Sequence, residues 1–112
     1  MSNLNLNFLE DINTKQLKQV LSNTDKPVFL DFWAPWCNPC KKMNPIIDEI
    51  ESEFEDQLQV IKVNIDKNSD LASKLEVLKI PTYLLFKDGE QVDKMVGEAP
   101  KEDLIEKVEK YL

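Results

Sequence analysis

Histidine is absent from the 112 residues. That removes the imidazole base from any Ser-His or Cys-His nucleophile, and with it every histidine-based metal site. Cysteine is scarce: Cys37 and Cys40 are the only two. A structural zinc site takes four ligands, usually two cysteine pairs or cysteine with histidine, and an iron–sulfur cluster needs as many thiolates. One pair falls short of either, and a metal would have to be shared across a dimer. Basic residues are in deficit, 14 against 21 acidic, for a formal charge of −7. Such a surface repels phosphate backbones, so no nucleic-acid partner is expected. No apolar run reaches the length of a bilayer span, and no membrane association is expected. Repeats, low-complexity tracts and linkers are missing too. The N-terminus, MSNLNLNFLED, has neither a basic n-region nor an apolar h-region, and no Asn-x-Ser/Thr acceptor occurs. The expected compartment is the cytoplasm, where a structural disulfide would be kept reduced.

What is present fits one domain over residues 1–112, with 42% hydrophobic and 31% charged residues. Leu4, Leu6 and Phe8 alternate with asparagines, a period-2 pattern for a half-exposed first strand. Asn13 with Gln16 three residues later approaches a capping box, and Leu17, Val20 and Leu21 form one apolar face. The run VFLDFW, residues 28 to 33, suits a central strand covered on both faces. Residues 37 to 54 carry Cys40, Met43, Ile47, Ile50 and Phe54 at helical spacing. Residues 58 to 65 read as a strand, and Leu71, Ala72 and Leu75 as a short helix behind Asn68 and Ser69. TYLLFK (82 to 87) and QVDKMV (91 to 96) flank Asp88-Gly89-Glu90, a hairpin signal. A last helix opens at Pro100, with Leu104, Ile105, Val108 and Leu112 facing inward. The order βαβαβαββα predicts an α/β fold, a mainly parallel sheet between helices with an antiparallel edge.

On the long helical stripe Cys40 begins the apolar face, so it should be buried. Cys37 lies one turn earlier, where free N–H groups and the positive end of the helix dipole stabilise a thiolate. One thiol presented and activated, with a shielded neighbour within reach, is what thiol–disulfide exchange requires. The bland alternative is two small buried hydrophobes. Pro39 fits a helix's first turn. Pro45 does not fit a helix interior, so either the helix kinks there or it begins near Asn44; the unbroken apolar register favours the kink.

The segments DFWAPWCNPC, KVNID, IPTYLLFKDG and the Val-Gly at 96–97 resemble those of the thioredoxin family, in order and at the family's spacing. A lone Cys-x-x-Cys would be unspecific; Trp-Cys-x-Pro-Cys with Ile-Pro-Thr about 40 residues later is specific. The resemblance implies a thioredoxin fold, a central five-stranded mixed sheet flanked by four helices. It implies a protein-disulfide reductase with Cys37 as nucleophile and Cys40 as resolving thiol, forming a redox-active disulfide. No bound cofactor or metal is implied. Reducing equivalents would come from NADPH through a thioredoxin reductase, the substrates would be disulfide-containing proteins, and the state monomeric. Asp31, six residues before Cys37, matches the family's buried aspartate, a proton relay for Cys40; in a central strand it should be desolvated and its pKa raised. Lys62 would tune Asp31 by charge, its alternative being a solvated strand lysine. Pro81 matches a cis-proline packed on the dithiol, with Ile80 and Thr82 beside it pairing with an extended substrate. Trp33 would fill space beneath the site, Trp36 would form an exposed rim, and Gly97 would admit a substrate backbone.

Three positions depart from the family: Asn38 stands where glycine is usual, and Glu76 and Lys79 where glycine is frequent. Asn38 could donate to or crowd the Cys37 sulfur, and Lys79 could select partners. Two rival functions share the motif. A disulfide oxidase or isomerase of the same fold is disfavoured by Pro39, where exported relatives commonly carry histidine. A non-catalytic binding module would use Trp36, Ile80 and Gly97 without turnover.

Overall fold

A computed structural model describes residues 13–112. The elements follow the order α1 (Thr14–Asn23), β1 (Val28–Trp33), α2 (Asn38–Glu53), β2 (Gln59–Asn64), α3 (Ser69–Lys74), β3 (Thr82–Lys87), β4 (Glu90–Val96) and α4 (Lys101–Glu109). The strand expected on Leu4, Leu6 and Phe8 lies outside the described residues. Among the described residues the sheet has four strands, ordered β2-β1-β3-β4.

Local chemistry accounts for most boundaries. Asn13 Oδ1 accepts from the Gln16 amide at 2.8 Å and Gln16 Oε1 from the Asn13 amide at 2.9 Å, closing the capping box that starts α1. Asp88 and Gly89 both take positive φ, 53° and 83°, the backbone of a two-residue hairpin turn whose twist matches its strands. α2 is one helix with Pro45 inside it, not one that begins near Asn44. Met43, Ile47 and Ile50 keep its buried face continuous across the proline, and burying that face outweighs one missing N–H.

β1 pairs in parallel with β2 but antiparallel with β3, which is antiparallel to β4. The expectation of a mainly parallel sheet is corrected: one of these three pairings is parallel. The reason lies between β2 and β3. α3 has only six residues and advances about 9 Å, less than half the roughly 20 Å of a six-residue strand. It does not carry the chain back along the sheet, so β3 enters from the end where β2 finished.

Alternation along β1 sorts the core. Val28, Leu30 and Phe32 pack with Leu17, Leu71 and Ala72 of α1 and α3. Phe29 packs with Met43, Ile47, Ile50, Leu104 and Val108 of α2 and α4. Asp31 shares the parity of Phe29 and so points to the α2/α4 side. Leu112 corrects another expectation: α4 ends at Glu109 and Leu112 is exposed, beyond the stripe it was assigned to.

The connection after α3 ends in a Schellman motif. The Val77 amide donates to Ala72 O at 2.9 Å and the Glu76 amide to Ser73 O at 3.1 Å. Glu76 holds the left-handed position, φ 58°. The family's glycine preference there has its physical cause in this backbone, which a residue with a Cβ adopts at a cost of about 1 kcal/mol.

Candidate active site

The segment 34–37 leaves β1 and turns directly into α2. The Cys37 amide donates to Ala34 O at 3.1 Å, and Cys37 is the N-cap, its Sγ accepting from the Cys40 amide at 3.2 Å. A side chain that accepts from the first-turn amides is the usual way to satisfy their free donors. Here the acceptor is a sulfur, so the hydrogen bond and the helix dipole both favour negative charge on it. Cys37 and Cys40 form a disulfide with Cα atoms 5.3 Å apart. Cys40 is 3% exposed, as its place on the stripe predicts; Cys37 is 4% exposed and not openly presented as expected. Bonded inward to Cys40, it sits in one apolar cluster with Ala34 and Cys40, and Trp33, Ile65 and Ile80 pack against that cluster.

The rim is polar and aromatic. Trp36 is 62% exposed, and its Nε1–H is shared between the two Asp66 oxygens at 3.1 and 3.2 Å. That bond fixes the ring's tilt while leaving its face open. Asn38 and Pro39 are exposed on the first turn of α2. Asn38 makes no hydrogen bond to Cys37 among the described contacts; the sulfur's donor is the Cys40 amide.

Across from the disulfide the Ile80–Pro81 peptide is cis. Pro81 O accepts the Gly97 amide at 2.8 Å, which ties the start of β3 to the end of β4. The Thr82 hydroxyl donates to Lys79 O, closing the turn from inside, and Thr82 is buried. Gly97 has φ 89°. A Cβ built there meets nothing within 4 Å, so the backbone conformation, not lack of room, calls for glycine. Half-buried Ile80 packs against the cysteines. Ile80, Pro81 and Thr82 follow one another along one wall beside the sulfurs, and Gly97, far along the chain, joins this wall through its amide hydrogen bond to Pro81 O.

Asp31 is 2% exposed, on β1 between β2 and β3. Burial pushes its carboxyl up to about 7; Lys62 pulls it down by less, and the charge of Asp48 adds to the upward push. Lys62 is its register partner on β2, but the Lys62 ammonium lies 2.6 Å from Asp48 Oδ1 on α2. On β3 Tyr83 is the opposite register partner. Its phenol is held protonated chiefly by burial, and further by the charges of Asp31 and Glu98. Sequence reasoning missed Asp48 and Asp66. Asp66 was within reach, since it closes the quoted segment KVNID. Asp48 carried only the weak signal of following Ile47 on the edge of the inward stripe.

No group of His, Cys, Asp and Glu among the described residues could hold a metal ion. None of the described helices is long and apolar enough to cross a membrane.

The thioredoxin family model matches residues 8–110. Over 101 residues the chain is 43% identical to thioredoxin 1 of a Nostoc species, spanning 90% of this chain and 94% of that one. It is 45% identical over 95 residues to thioredoxin 1 of Synechococcus elongatus, spanning 85% and 89%. Among solved structures it is similar to a mutant thioredoxin from Halobacterium salinarum, with TM-score 0.81, 35% identity and coverage of 88% and 85%.

Proposed function

The chain belongs to the thioredoxin family of protein-disulfide oxidoreductases, and from that premise we propose how its residues divide the exchange. In the reduced protein the Cys37 thiolate attacks one sulfur of a substrate disulfide. A Cys37–substrate mixed disulfide forms, and the other substrate sulfur leaves as a thiolate. Asp31 takes the proton of the Cys40 thiol, and the Cys40 thiolate attacks Cys37 Sγ. The Cys37–Cys40 disulfide closes, the second substrate thiolate leaves, and two electrons have passed to the substrate. The departing thiolates take up protons, one of them from Asp31 or solvent. The observation that carries this division is the Cys40 amide on Cys37 Sγ at the start of α2, which stabilises negative charge on the first sulfur and not on the second.

The substrate is an extended segment of a disulfide-containing protein. It lies along the wall of Ile80, Pro81, Thr82 and Gly97, pairs with the backbone of that wall, and abuts the exposed face of Trp36. Lys62 tunes Asp31 through its charge. A thioredoxin reductase drawing on NADPH restores the dithiol, and the protein works as a monomer in the cytoplasm.

Insulin reduction, followed by turbidity and by NADPH consumption with added thioredoxin reductase, tests the reading. Cys37→Ser abolishes both signals, and Cys40→Ser accumulates mixed disulfides on Cys37 that a thiol releases. Full activity without Cys37 would overturn the assignment of the nucleophile.

A further inference from the structure

On the α2/α4 side of the sheet, Asp31 faces Lys62 across the parallel β1–β2 pairing. A lysine so placed is the natural cation to neutralise a buried carboxylate. Its ammonium goes elsewhere, to Asp48 at 2.6 Å, and no ion pair joins it to Asp31 among the described residues. Two lysines of α4 on this side are engaged by other carboxylates. Lys101 of α4 is held by Glu49 and Glu53 of α2 at 2.8 and 2.6 Å, and Lys107 by Asp93 of β4 at 3.6 Å. Glu98, before α4, lies 4.0 Å from Lys42. Tyr83 on β3 offers a neutral phenol. Lys62 is thus the one cation in register with Asp31, and a single carboxylate on α2 decides where its charge sits.

We propose that Asp48 is a positioning residue for the exchange: by holding the Lys62 ammonium on α2, it denies Asp31 a partner cation and keeps that carboxyl available as a proton carrier. The helix that supplies Asp48 also carries Cys40 and is capped by Cys37, so one element places the sulfurs and the tether together. The inference rests on the reading of Asp31 as the acceptor of the Cys40 proton. It deepens that reading by assigning a residue that touches neither the sulfurs nor the substrate. Both members of the tether are partly solvent-exposed, with side chains 39% and 60% accessible, so replacing either leaves the core intact.

Carboxyl ¹³C NMR of the oxidised full chain reads the Asp31 midpoint directly. Asp48→Asn releases the ammonium toward Asp31 and should lower the midpoint from about 7 by roughly half a unit or more. Asp48→Glu, which can keep the pair, should restore it. In a Lys62→Met background the drop caused by Asp48→Asn should shrink to less than half. An unchanged midpoint in Asp48→Asn would overturn the proposal. So would an undiminished drop in the Lys62→Met background, because Asp48 would then act as a distant negative charge and not by holding the lysine. The pH profile of the Cys40 resolving step should move with the midpoint. A midpoint that moves under a stationary profile would sink the relay role of Asp31 while upholding the tether.

Discussion

Replacing Asp31 with Asn should flatten the pH dependence of folding stability. In the unfolded chain this carboxyl titrates near its ordinary value of 3.8; in the fold, burial pushes it up to about 7. Below the lower value both states carry the proton and burial of the neutral acid costs little. Between the two values the unfolded state ionises freely while the native state resists. Above about 7 both are ionised, and the native state bears the full cost of a desolvated charge. A raised native pKa therefore contributes relative stability at low pH that is lost as pH rises through this window. At 1.36 kcal/mol per pH unit the gap converts to about 4 kcal/mol. Asp31→Asn has no proton to lose, so its stability should escape that decline. Urea unfolding of the oxidised protein at a series of pH values from 4 to 9, compared between wild type and variant, isolates the effect, since every other carboxylate is common to both. The difference should grow with pH and level off above the native midpoint. Parallel curves would refute the reasoning, because they would mean that the buried carboxyl titrates as an exposed one does. The same substitution should slow closure of the mixed disulfide, by removing the acceptor for the Cys40 proton.

Two further substitutions probe the backbone around the site. Glu76→Gly relieves the left-handed φ of 58° and should raise stability by about 1 kcal/mol in urea; no gain over Glu76→Ala would show that this backbone costs nothing. Gly97→Ala, at φ 89°, should lose about 1 kcal/mol or more and weaken insulin reduction, through a shifted end of β4; wild-type behaviour in both assays would remove Gly97 from the proposed substrate wall.

The features legible in the sequence share one property: they are fixed by neighbours within a turn or two of chain. The Asn13 box and the Asp88-Gly89 hairpin are closed by local geometry, and the stripe through Met43, Ile47 and Ile50 follows from helical spacing. Cys40 is readable for the same reason, since helical spacing alone turns it inward. Cys37 is readable as the sulfur at the helix start but not as a buried one, because the cluster it joins is packed by Ile65 and Ile80, far along the chain, as well as by Trp33.

The electrostatics divide along the same line. That Asp31 is buried follows from one polar residue in an apolar strand, a local fact. Which charge answers it depends on strand register and on the rotation of α2, and neither is written in any short segment. Register does set Lys62 beside Asp31, yet the ammonium binds Asp48. The difference matters because a pair at 2.6 Å on the flank stabilises little, while the same lysine on Asp31 would convert a titrating acid into a permanent carboxylate. A thiol exchanger needs an acid that titrates near the pH at which it works. Leaving a buried carboxylate without its cation is a cost in stability, and the pH-dependent loss expected for wild type but not for Asp31→Asn is the measure of that cost.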